Sequence, residues 1–163
     1  MREPRRLRRR LTDEAATRVA GAALARAARA AGARAFYATL KGELGTGKTT
    51  FVRGLLGALG VEGPVPSPTY ALLESYEGRG QRVEHFDWYR VESPEELDAL
   101  GFRDALGPDR WVLVEWPERV LAAAAGADLA IGLAYDPAGR QLEIRALTDA
   151  GRGILEQLMA EPT

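Results

Sequence analysis

Four residues, Gly42, Gly47, Lys48 and Thr49, stand at the spacing G-x-x-x-x-G-K-[ST] within Lys41-Gly-Glu-Leu-Gly-Thr-Gly-Lys-Thr-Thr50. That spacing suits a polyphosphate, because a run of backbone N–H groups must converge on its oxygens and side chains at Gly45 and Gly47 would stand in the way. Lys48 brings a compact positive charge to the terminal phosphates, a catalytic role, and the Thr49 hydroxyl suits Mg²⁺. The expected nucleotide cradle is the run Gly42, Glu43, Leu44, Gly45, Thr46, Gly47, Lys48, Thr49 and Thr50. Lys41 and Lys48 are the only lysines, against twenty arginines. A chain that uses arginine for nearly every cation has kept a lysine where the loop wants a point charge.

A phosphate loop also needs an acid at the end of a neighbouring hydrophobic strand, to orient Mg²⁺ or its water shell. There are two candidates: Asp87 in His85-Phe-Asp-Trp-Tyr-Arg90, and Glu115 at the end of Trp111-Val-Leu-Val-Glu115. One division gives Glu115 a metal-linked role with Thr49, and makes Asp87 either a second metal-shell acid or the group that positions the attacking water. The residues alone leave that division open. A lone strand histidine such as His85 is more often packed and hydrogen-bonded than catalytic. Arg90 is the candidate for a charge-stabilising arginine, and Trp116 reads equally well as core anchor or interface aromatic. Residues 61–69 hold three prolines and expose Ser67 and Thr69. This segment is either a connector or a switch-like loop whose catalytic Thr69 hydroxyl approaches Mg²⁺ or the terminal phosphate. The chain has no asparagine, so the guanine-reading motif N-K-x-D is absent and ATP is the expected nucleotide.

The elements that must position these groups follow from periodicity. Residues 35–40 read as a buried strand and 49–59 as a helix, the strand-loop-helix setting the motif requires. The two acids end strands at 82–87, in a hairpin with 70–76, and at 111–115. Before the loop, Thr12 is the expected cap of a helix running to Ala31, with Asp13 and Glu14 in its first turn. Gly54 and Gly57 inside the second helix imply close packing. Helices are expected at 94–100 and 117–124, with a helical turn at 102–106. A hairpin, 129–135 with 140–147, and a final helix, 149–160, complete the chain. The expected fold class is α/β, a phosphate-loop NTPase-like three-layer sandwich with a mostly parallel central sheet and an antiparallel C-terminal hairpin.

At 163 residues and 46% hydrophobic, one domain spanning 1–163 is expected. The net charge of −1 argues against an overall nucleic-acid-binding field, so any RNA contact is local or carried by a partner. Residues 1–10 form a basic tip with six arginines against Glu3. It reads as a solvated tail or edge strand, or as a patch for RNA or an acidic surface. The lack of cysteine and the single histidine exclude disulfides, thiolate chemistry and multi-histidine metal sites. No spanning or signal segment is visible, so a cytoplasmic protein with no membrane partner is expected.

In combination, Leu11-x-Asp13-Glu14-x-Ala16-Thr17, the run Gly42 to Gly54, Ser67-Pro-Thr-Tyr70, His85 to Arg90, Pro94-Glu-Glu-Leu97 and Glu115-Trp-Pro117 resemble the bacterial TsaE family. The resemblance covers roughly residues 5 to 147. It implies a small ATPase that works with TsaB and TsaD in making threonylcarbamoyladenosine beside the anticodon of tRNA, with tRNA reached indirectly through that complex. It also implies Thr49 and Glu115 on Mg²⁺, Asp87 in the catalytic neighbourhood, residues 67–69 in a switch-like loop, and the outer part of the nucleotide near Asp13, Glu14 and a turn at Ala138 to Arg140. Thr46 and Trp88 depart from the family's usual residues without removing a phosphate or metal ligand. The rival reading is a small-molecule kinase, which would want an arginine-bearing lid between helices; the sequence offers no convincing one, Arg103 and Arg110 being the best candidates. A third reading is a nucleotide-gated binding module.

Overall fold

The computed structural model describes residues 5–68 and 71–161. Seven strands form one mixed sheet: β1 (Arg6–Leu11), β2 (Phe36–Lys41), β3 (Leu73–Gly78), β4 (Gln81–Asp87), β5 (Arg110–Glu115), β6 (Leu129–Asp136) and β7 (Gly139–Ala146), in the order β1-β7-β6-β2-β5-β4-β3. Parallel pairing joins β6, β2, β5 and β4. The expected C-terminal hairpin is β6–β7, but antiparallel strands flank the parallel centre on both sides, since β1 pairs with β7 and β3 with β4. The parallel part is therefore narrower than the sequence suggested.

Alternation along the central strands separates two cores. Phe36, Ala38 and Leu40 of β2 and Trp111 and Leu113 of β5 pack in one core with helices α1 (Glu14–Ala30), α2 (Lys48–Ala58) and α6 (Asp149–Ala160). Tyr37, Val112 and Val114 point the other way, to the short helices α3 (Pro94–Ala99) and α4 (Phe102–Ala105) and to Val120. Strands buried on both faces read as continuous apolar runs, which is how β2 and β5 appear in the sequence.

Helix α1 lies tightly against α2. A Cβ at Gly21 would come within 1.9 Å of the Phe51 carbonyl oxygen, and one at Gly54 within 2.0 Å of that of Arg18. Gly57, by contrast, faces open space, so close packing accounts for Gly54 alone. The cap of α1 is Asp13, whose carboxylate accepts from Ala16 N at 2.7 Å, and not Thr12. Ser93 precedes α3 without a side-chain cap bond. The helix expected at 117–124 starts as a 3₁₀ turn, Pro117–Val120, and becomes α5 (Leu121–Ala124) only afterwards. Among the described residues no helix is long and apolar enough to cross a membrane.

Candidate active site

Strand β2 runs straight into the glycine loop, and α2 begins at Lys48. Gly45 and Gly47 take left-handed backbone angles, φ 77° and 107°, which a side chain would strain. Gly47 is also the cap of α2 and offers no side-chain bond, leaving the first helical N–H groups turned to the loop. A Cβ on Gly42 would approach the Leu133 carbonyl oxygen at 2.5 Å, so the loop is threaded against β6. Thr46 is buried and donates to Glu43 O at 2.8 Å. Leu44 is exposed. From the hairpin side, the Tyr135 hydroxyl donates to Leu44 O and Arg140 to Gly45 O at 3.2 Å. The Arg140 guanidinium lies 4.6 Å from the centre of the Tyr135 ring, so the two hold the loop as a pair.

Lys48 is almost buried and is folded back on the loop, donating to Gly42 O and to Glu43 O at 3.1 Å. Its Nζ lies 4.1 Å from the centre of the Trp116 ring. Burial lowers the lysine's pKa, against the opposing fields of Glu115, Glu118 and Asp87. Trp116 takes a left-handed φ of 62°, an uncommon conformation for a residue with a side chain. Tyr89 packs on its ring at 4.9 Å. The tryptophan is thus part of the site wall over Lys48.

The two acids are brought together. Asp87 and Glu115 are direct partners at the C-terminal ends of the neighbouring parallel strands β4 and β5, and Glu115 is also paired with Leu40 of β2. The Thr49 hydroxyl lies 3.2 and 3.1 Å from the Glu115 oxygens Oε1 and Oε2. On its other side Glu115 Oε2 accepts from His85 Nε2 at 2.6 Å, and both residues are buried. His85 is the packed, bonded residue expected, with a specific partner. Asp87 is buried and its Oδ1 accepts from Tyr89 N at 2.8 Å.

A hydroxyl and two carboxylates are hard oxygen donors of the kind Mg²⁺ takes. Among the described residues no group of three or more histidine, cysteine or acidic side chains is suited to a metal ion. The set fits a cation held by one or two carboxylates together with phosphate and water, and does not fit an all-protein cage.

Besides a cavity of about 710 Å³ on the β6 side, lined by Gly42, Glu43, Trp116, Gly132 and Gln141, two cavities flank the loop. One, of about 270 Å³, is lined by Lys48, Thr49, Ser67, Asp87, Glu115 and Trp116. The other, of about 320 Å³, lies between the start of α1 and the β6–β7 turn and is lined by Asp13, Glu14, Thr50, Arg53, Gly139 and Arg140. Glu14 thus shares a cavity with Gly45, Gly47 and Arg140. Ala138 is one residue removed: its N–H bonds Asp136 Oδ1 at 2.9 Å within the turn, and it lines neither cavity. Arg90 is exposed and also lines neither. Thr69 lies outside the described residues.

Sequence reasoning missed Tyr135 and Arg53. The tyrosine had a faint signal, an aromatic residue at a strand end just before Asp136-Pro-Ala-Gly139. Arg53 had none beyond its place one turn after the loop, from which its Nε reaches Val65 O at 2.8 Å and ties α2 to the proline-rich segment.

Residues 11–142 match the family model described as "Threonylcarbamoyl adenosine biosynthesis protein TsaE". A Haemophilus influenzae relative, "tRNA threonylcarbamoyladenosine biosynthesis protein TsaE", is 40% identical over 122 residues, covering 75% of this chain and 77% of the relative. Relatives of the same description from Rickettsia conorii and Treponema pallidum are 41% and 40% identical over shorter stretches, covering 48% and 50% of this chain and 45% and 59% of theirs. The crystal structure of Bacillus subtilis YdiB superimposes with a TM-score of 0.75 at 24% identity, covering 98% of this chain and 97% of that one, a likeness of fold. With the family model spanning most of its length and a relative at this identity over three quarters of it, the chain belongs to the TsaE family of tRNA threonylcarbamoyladenosine biosynthesis proteins.

Proposed function

We propose that the chain is a Mg²⁺-dependent ATPase of the phosphate-loop NTPase type, a single domain whose ATP cycle supports a TsaB–TsaD pair in forming threonylcarbamoyladenosine next to the anticodon of tRNA. The observation that carries this reading is the Thr49 hydroxyl facing both oxygens of the strand-end acid Glu115, beside Lys48 and the glycine loop. The loop's N–H groups and the N-terminus of α2 bind and orient the phosphates. Lys48 exchanges its carbonyl partners for terminal phosphate oxygens, an easy trade because its charge is poorly solvated where it lies. Thr49 and Glu115 would hold Mg²⁺, which supplies charge neutralisation at the phosphates. Asp87, the neighbour of Glu115 across β4 and β5 in the same cavity, would orient a water, and Trp116 with Ser67 would help exclude bulk solvent. The second cavity, beside Glu14 and the hairpin turn, takes the outer part of the nucleotide. The proposed setting is cytoplasmic, with tRNA met in the company of the two partner proteins.

The test is ATP hydrolysis by the purified chain with and without cognate TsaB and TsaD, alongside Lys48→Ala. The expected result is weak hydrolysis alone, stimulation by the pair, and loss of both in the variant. Partners that neither bind nor stimulate the wild-type chain would overturn the accessory role. Rapid phosphorylation of a free metabolite would instead make it a kinase.

A further inference from the structure

One half of the sheet is covered on a single face. In β6 and β7, Leu129, Ile131, Leu142 and Ile144 are buried against the helices, as is Leu11 of β1. The alternate residues have none of the long helices over them and meet only the short α5 across a cavity: Ala130, Gly132, Gln141 and Glu143 are half-buried, and Arg6, Arg8, Arg10 and Arg145 are exposed. Register makes this face a grid. Arg6 stands beside Arg145, Arg8 beside Glu143, and Arg10 beside Gln141, with Ala130, Gly132 and Ala134 continuing the rows on β6.

The charges on the grid do not balance. Glu143 is shared by three guanidinium groups, Arg8 at 2.7 Å, Arg145 at 3.7 Å and Arg6 at 3.8 Å, and Arg10 reaches Asp136 at 3.8 Å. In a chain of net charge −1, four cations meeting two anions is a local excess. Protecting an edge strand from pairing with another chain requires charge on β1, but it does not require a second row on β7 or an uncovered face behind it.

We propose that this face binds the phosphodiester backbone of RNA, laid along β1 and β7. Same-face side chains on a strand recur about every 6.8 Å, so Arg6, Arg8 and Arg10 form a comb addressing a ligand with regularly repeated negative charge. Arginine is the side chain that matches phosphate in a two-pronged bond. The β6 row of the face carries only Ala130, Gly132 and Ala134; the larger apolar groups nearby, Trp116, Leu121 and Tyr135, border it from outside β1 and β7, so the rows on β1 and β7 address a ligand through charge. The choice of RNA over DNA rests on the family's tRNA pathway; the nucleotide site does not enter the argument.

The test measures binding of the full chain to an unmodified tRNA transcript across a salt series. Wild type is expected to bind with a clear salt dependence. Arg6→Ala/Arg8→Ala/Arg10→Ala should weaken binding about 10-fold or more and flatten the log–log salt slope by about 2, from ~0.7 per lost phosphate contact. Arg26→Ala, on the opposite face and paired with Glu161, should change neither. Glu143→Gln should tighten binding, an outcome a merely structural role for these residues does not produce. The corresponding triple lysine variant keeps the charge and should keep the slope; it serves as the reference if the alanine variant folds poorly. ATP binding by these variants, measured in parallel, separates failure here from failure of the nucleotide site. The proposal is overturned if wild type does not bind the transcript, if the triple alanine variant and Glu143→Gln leave affinity and slope unchanged, or if a polyglutamate peptide displaces RNA at equal charge, which would make the occupant an acidic polypeptide.

Discussion

His85 Nε2 lies 2.6 Å from Glu115 Oε2, so the carboxylate that receives the Thr49 hydroxyl is braced from behind by a ring with no solvent exposure. The other ring nitrogen, Nδ1, is buried and has no hydrogen-bond partner among the described residues, so the histidine's polar contact there is spent on Glu115. A ring in this position fixes the direction of the carboxylate towards the loop. His85→Ala removes the brace and leaves a buried carboxylate short of a donor, a loss of about 1–3 kcal/mol in stability. Urea unfolding checks that figure. Nucleotide titration with and without Mg²⁺ should also show a weaker Mg²⁺ dependence; an unchanged dependence would mean that the histidine serves packing alone.

The two acids differ in what occupies them. Glu115 faces Thr49 with both oxygens, whereas Asp87 Oδ1 is engaged by the backbone of Tyr89. Glu115→Ala should therefore weaken Mg²⁺-dependent nucleotide binding more than Asp87→Ala does, and Asp87→Ala should weigh more heavily on hydrolysis. A titration in which the order of the two is reversed would exchange their roles.

Two glycines one turn apart on α2 should behave oppositely. A Cβ at Gly54 meets the Arg18 carbonyl oxygen at 2.0 Å, with backbone on both sides, so Gly54→Ala must push α1 away from α2. A loss of about 1–3 kcal/mol or more is expected from overpacking. At Gly57 nothing lies within 4 Å, and alanine there should gain about 1 kcal/mol through helix propensity. Thermal or urea unfolding of the two variants gives the comparison directly.

What the sequence could show follows the range of the interactions. Motifs fixed by local geometry were legible: the loop from Gly42 to Thr49, the run from Trp111 to Glu115, and the turn at Asp136 to Gly139 all fall where pattern places them. Asp13 and Thr12 are both good caps by type, and only the backbone angle of the entering chain selects Asp13. The strand expected from residue 70 begins at Leu73, because Leu72 takes a left-handed φ of 66° and bonds back to Pro68 O at 2.7 Å. Pairing of β1 with β7 joins residues far apart in sequence, which no local period encodes. For the same reason the meeting of His85 with Glu115, and of Tyr135 with Leu44, could not be read from spacing.

Glu143 offers a prediction in pH. The hydrogen bond from Arg8, aided by the fields of Arg6, Arg8 and Arg145, holds its carboxyl below the ordinary value of 4.5, against a smaller opposing effect of burial. Because the folded-state pKa is depressed, the stabilisation is fully present above the unfolded pKa and is lost as pH falls through the folded one. Wild type should thus exceed Glu143→Gln in stability at neutral pH, by no more than about 1 kcal/mol because the pair sits near the surface. The gap should close at acid pH, below the usual carboxylate range. Denaturant unfolding of both proteins at about pH 7 and about pH 3 measures it. High salt should shrink the neutral-pH gap as well, since these charges are open to solvent. A gap that survives at acid pH would assign the effect to packing of the side chain on the sheet, in place of its charge.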